Sequence, residues 1–120
     1  MPYSVAGKNA MLNALGALAG FASLHTADPG DSGANEISGG SPAYARKAVT
    51  WNAASGGSMD DSNVPVFDIP PATTVSFAGF WSLATGGIFY GSGDLIDEVF
   101  ANQGTYTLTD ADLDLTPEET

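Results

Sequence analysis

The chain has no cysteine, one histidine and only three basic residues in 120 positions. Without cysteine there can be no disulfide framework, no thiolate nucleophile and no cysteine-ligated metal. With cations only at Lys8, Arg46 and Lys47, the chain cannot replace the counterions condensed on a nucleic acid backbone. The same shortage excludes attraction to an anionic membrane surface. Long hydrophobic runs are also missing. The longest, Ala10 to Ala22, covers about 13 residues, includes Asn13 and is too short to span a bilayer. Only Lys8 precedes it, so it is read as part of a helix rather than as the core of a signal peptide.

Catalytic motifs are lacking too. His25 stands alone, with no partner set by sequence spacing, and reads as a hydrogen-bonded structural residue. No G-x-S-x-G elbow, P-loop or strand-linked G-x-G-x-x-G occurs, and the glycine pairs 39–40 and 56–57 read as backbone freedom in turns. Asp110, Asp112 and Asp114 would share one face of a strand, about 7 Å apart. They lack the glycine and distant glutamate of a calcium loop, and read as a solvated face, as do Asp94, Asp97 and Glu98. The expectation is a chain with no enzymatic activity, no cofactor, no metal site, and no nucleic acid or membrane partner.

The charge that is present is segregated. Residues 1–59 balance Lys8, Arg46 and Lys47 against Asp28, Asp31 and Glu36, while the rest of the chain holds acids and no Lys or Arg, so the net charge of −11 belongs to the second half. Such charge keeps a protein dispersed, and it favours assembly through the neutral half.

The length allows one domain with a modest core. Met11, Leu15, Leu18 and Ala22 follow helical spacing, with Leu12 and Ala19 beside them and Ser4 as a possible N-cap. Three glycines weaken this segment, so it needs a surface to pack on, or it is an arm that orders against another subunit. From Phe21 the pattern turns extended, with strands expected at 21–26, 45–51, 64–69, 74–82, 88–90 and 105–109. Ala84-Thr-Gly-Gly87 signals a hairpin, and Gly91 to Gly93 should break the strand after it. Residues 1–22 are therefore expected to form a helix or arm, 23–115 a β domain and 116–120 a frayed acidic tail. The fold class expected is mainly β: an antiparallel β-sandwich or jelly-roll-like domain with one N-terminal helix.

The segment Asp28 to Pro42 holds four glycines, three acids and one large apolar residue, Ile37. A loop so poor in apolar surface is expected to order only against a partner, with Ile37 as anchor and Tyr44 to Trp51 as the strand presenting it. Arg46 and Lys47 would pair with the acidic half, of an adjacent copy or of the same chain. Trp51, Phe80 and Trp81 complete the expected contact set, because Phe77 and Trp81 lie on one strand parity and Phe80 on the other, which leaves an aromatic face outward.

The wording of this region is distinctive. The phrase "SLHTADPG" followed by "GGSPAYARKAVTWNAA", together with "AGKNAMLNALG", "VPVFDIP", "VSFAGFWSLATGGIFYGSG" and "GTYTLTDADL", resembles small tail proteins of actinobacterial siphophages, of the minor tail or tail fibre type. The resemblance implies a non-enzymatic virion structural protein that works as a homo-oligomer, with other phage structural proteins as partners. A capsid decoration or head-fibre protein would share this composition. A carbohydrate-binding module using Trp51 or Trp81 against host surface glycan is the competing class.

Overall fold

The computed structural model describes residues 3–109 and, for the backbone, 112–114. Among these residues a helix, α1 (Val5–Leu18), is followed by eight strands: β1 (Phe21–His25), β2 (Lys47–Ala48), β3 (Ser58–Asp60), β4 (Val66–Ile69), β5 (Thr73–Trp81), β6 (Phe89–Phe100), β7 (Gly104–Thr107) and β8 (Asp112–Asp114). The fold is mainly β with one N-terminal helix, as the sequence pattern indicates. The principal sheet has the order β2-β1-β5-β6, and the ribbons β3-β8 and β4-β7 flank it. Every strand pairing is antiparallel. The domain is elongated, 46 × 26 × 24 Å.

Helix α1 starts where Ser4 caps it: the Ser4 hydroxyl accepts the Gly7 N–H at 3.0 Å. Leu12 is buried and Leu15 rests on the core, while Met11 and Leu18 face outward. The inward stripe is therefore rotated from the spacing expected. The surface this glycine-weakened helix needs is residues 54–59. Asn9 and Asn13 accept the N–H groups of Gly57 and Ala54, both at 2.9 Å. Gly16 permits close approach, since a Cβ there would come within 2.9 Å of Met59.

The two faces of the principal sheet differ in chemistry. Period-two alternation sends Ala22 and Leu24 of β1 to one face, with their neighbours Phe80 and Ala78 of β5. There they join Phe67, Ile69, Val75, Leu108 and Ile37 in the apolar core. Each fully buried large side chain of this set contributes about 1.5–3 kcal/mol. The other face carries Ser23 and His25 of β1 opposite Gly79 and Phe77 of β5, with Trp81 at its end. Phe77 and Trp81 do share a face, as their parity requires.

The hairpin at Ala84 to Gly87 forms within the connection between β5 and β6. The expected break at Gly91 to Gly93 does not occur, because β6 runs straight through. Gly91 and Gly93 pair with Phe80 and Ala78, and a Cβ at either glycine would meet nothing within 4 Å. The long strand expected at 45–51 shrinks to Lys47–Ala48, with one further bridge between Trp51 and Asp61. The acidic tail and Asp110 lie outside the described residues.

Candidate functional site

The polar face of the sheet is closed by the segment expected to be loose. Its own backbone and side chains hold it in place. The N–H groups of Gly33 and Ala34 donate to the Pro29 carbonyl, Thr26 N–H donates to Asn35, and Ile37 N–H donates to Leu24 on β1. The amide of Gln103 reaches back to Ser41 and Pro42. Gly33, with φ +77°, brings bare backbone against Trp81 and Phe89, where any Cβ would collide. Ile37 is 4% exposed and belongs to the core of its own chain. An outward anchor at Ile37 is therefore not available: a side chain sealed inside its own subunit has no surface left for a neighbour.

Beneath this segment lies a connected polar set. The Ala34 carbonyl can only accept, so His25 donates to it from Nδ1, at 2.8 Å. Nε2 is then an acceptor, and the Ser23 hydroxyl donates to it at 2.7 Å. Ser23 in turn accepts the Trp81 indole N–H at 2.8 Å. Each polar side-chain atom of this Ser23–His25–Trp81 set has a partner, which offsets the cost of burying it. Burial pushes the His25 pKa below its ordinary value, so the ring is neutral.

Arg46 covers this set. Its Nε and Nη2 grip Glu36 at 3.0 and 2.9 Å, and its Nη1 donates to the carbonyls of Leu83 and Gly86 at 2.9 and 2.8 Å. The guanidinium lies 3.6 Å from the Trp81 ring centroid. Tyr44 donates to Glu36 at 2.9 Å and accepts Leu24 N–H at the same distance, and burial raises its pKa far above the ordinary phenol range.

The structure thus brings Tyr44, Arg46 and Trp81 together, and joins to them Glu36, Ser23 and His25. Phe80 is in the core, and Trp51 meets it edge-on at 5.3 Å. Lys47 stands apart on β2. Sequence reasoning had no access to the Glu36–Arg46 pairing, because ten residues of irregular loop separate the two. Trp81 is 8% exposed, and most of the aromatic set expected outward faces inward. Among the described residues no group of three or more His, Asp or Glu could hold a metal ion, and no helix is long and apolar enough to cross a membrane.

The outward-facing surface lies elsewhere. On β6, Phe77↔Asp94 is followed by Val75↔Glu98, so Leu95, Ile96 and Asp97 stand opposite Ser76 alone. This bulge lifts Ile96 to 93% exposed, and Val99 beyond it is 74% exposed. Asp94, Asp97 and Glu98 around them face solvent. Beside α1 an open groove of about 570 Å³ is lined by Gly16, Ala17, Val49, Trp51 and Met59, with Asn13 and Asn52 at its edge. Exposed apolar patches mark interaction surfaces in proteins generally, whereas the His25 side chain is wholly buried.

None of the curated proteins matches the chain. A family model described as podophage GP4 fiber I protein gp80 matches residues 6–116. This agrees with the phage-fibre part of the resemblance read from the sequence, although the match is to a podophage family. Spanning nearly the whole chain, it shows that the protein belongs to the podophage GP4 fiber I protein gp80 family.

Proposed function

We propose that the chain is a non-enzymatic structural subunit of a phage fibre, a virion component that assembles with other copies of itself and with other virion proteins. The family match over residues 6–116 carries this reading. The architecture supports it: His25, Ser23, Glu36 and Arg46 are engaged in holding the polypeptide together, and the exposed surface carries an apolar projection at Ile96 and Val99 set among acids. The test is electron cryomicroscopy of particles carrying a tagged copy. Extra density is expected on a fibre, and density on the capsid surface would overturn this in favour of a decoration protein.

A glycan-binding reading is left with Trp51, because Arg46 and the loop cover Trp81. Trp51 lines an open groove beside Asn13 and Asn52, so Trp51→Ala should abolish retention on host glycan if that reading holds. Equal retention of the variant and the parent would dismiss it.

A further inference from the structure

Resting on the fibre reading, we infer that the edge of β6 docks an extended segment of a different virion protein, one that carries lysine or arginine and adds to the principal sheet as a further strand. The order β2-β1-β5-β6 leaves β6 at the edge. Among the described residues no backbone other than that of β5 bonds to it. A strand of 12 residues in that position presents a row of backbone N–H and C=O groups on its outer side. Ser92, Gly93, Asp94 and residues 96–99 are all exposed along it. Gly91 and Gly93 add a second signal. A Cβ at either would meet nothing within 4 Å, and neither has a positive φ, so the chain's own packing does not require glycine there. Glycine within a strand weakens it, and it also marks places where another backbone comes close.

Charge selects the occupant. Residues opposite Asp94, Asp97 and Glu98 on an added strand would lie about 4.5–5.5 Å away between Cβ atoms, where opposite charges stabilise and like charges destabilise. A second β6 would set acids against acids, and residues 60–120 hold no Lys or Arg at all. The cations of the first half are not on a segment that could serve. Lys8 lies in α1, Arg46 is held by Glu36 and the carbonyls of Leu83 and Gly86, and Lys47 lies on β2, where Asn63 already bonds the Ala48 carbonyl. A copy of this chain is therefore a poor match for its own β6 edge, and a basic strand from another protein is a good one. The acids and the bulge are the devices that keep a long edge from pairing with its own kind. Ile96 and Val99, 93% and 74% exposed, supply apolar contact for the incoming segment.

The probe is a short synthetic peptide alternating lysine and valine, added to the full chain. It should bind and slow hydrogen exchange at β6 amides, and a peptide alternating glutamate and valine should do neither. The same lysine–valine peptide N-methylated at every residue keeps its charge but has no N–H to donate, and should bind at least about tenfold more weakly. Asp97→Lys combined with Glu98→Lys changes two exposed side chains, so the variant should keep the parent's Tm. It should reverse the preference and take the glutamate–valine peptide. Undiminished binding of the methylated peptide, binding without slower exchange in β6, or an unreversed preference overturns the proposal, because each reduces the contact to general charge attraction. Failure of the lysine–valine peptide to bind, while tagged chain is found on fibres, also overturns it and leaves the fibre reading intact.

Discussion

Replacing Arg46 with alanine removes two charge-assisted bonds to Glu36, two bonds to loop carbonyls and a cation stacked on Trp81. Deleting one partner of a buried ion pair costs about 3–5 kcal/mol. Glu36 keeps 22% of its side-chain surface and still receives the Tyr44 hydroxyl, which lowers this cost to about 2–3 kcal/mol. Loss of the stack adds about 1 kcal/mol. The total of about 3–4 kcal/mol corresponds to a fall of roughly 12–16 °C in Tm for a domain of this size. Arg46→Lys keeps the charge but loses the planar fork, and should show about half that fall. Thermal unfolding followed by circular dichroism measures both. A double-mutant cycle of Glu36→Gln with Arg46→Met isolates the pair, with an expected coupling of at least about 1 kcal/mol. Additive single changes, or a fall under about 3 °C for Arg46→Ala, would refute the idea that this arginine fastens the loop to the sheet.

Three further outcomes follow from the same geometry. The His25 pKa is lowered on folding, so the stability contributed by the neutral ring is complete above about pH 6.5 and is lost as the pH falls below it. Denaturant titrations at pH 7.5 and pH 5 should show the drop, and His25→Gln should flatten it. Gly33→Ala combines φ +77° with a collision on Trp81 and should cost about 2–4 kcal/mol, whereas Gly30→Ala, at φ +62° in open space, should cost about 1 kcal/mol in the same titration. Trp51→Phe loses the indole bond to the Ala19 carbonyl, 3.0 Å long, and should lower stability by about 1 kcal/mol without changing the far-ultraviolet spectrum.

Much of the fold was legible where local chemistry decides it. The Ser4 cap, the extended pattern from Phe21 and the Ala84 to Gly87 turn depend on a few adjacent residues, and the structure has each of them. Lys47–Ala48 and the unbroken β6 depend on what lies alongside: β2 has only Phe21 and Ala22 of β1 beside it, and Gly91 and Gly93 are tolerated because Phe80 and Ala78 sit next to them. The loop was the largest difference. Its composition is indeed too polar to bury itself, but His25 on the adjoining β1 bonds Ala34, and Arg46, stacked on the distant Trp81 of β5, grips Glu36, so polar partners stand in place of apolar ones. Ile96 was visible as an apolar residue among acids, yet nothing local signals that a bulge would turn it outward.

The unlike faces of the principal sheet have a consequence for how the chain reaches its structure. Strands β1 and β5 are brought together across more than fifty residues, and a sheet with two equally greasy faces would accept several alignments of them. Here a slip by one residue would turn Leu24 toward the loop and drive Ser23 and His25 into the apolar core. The Trp81 N–H and the Ala34 carbonyl would lose their partners at the same moment. The Ser23–His25–Trp81 chain therefore acts as the notch of a key: it adds little net energy to the correct alignment and makes its nearest competitor costly.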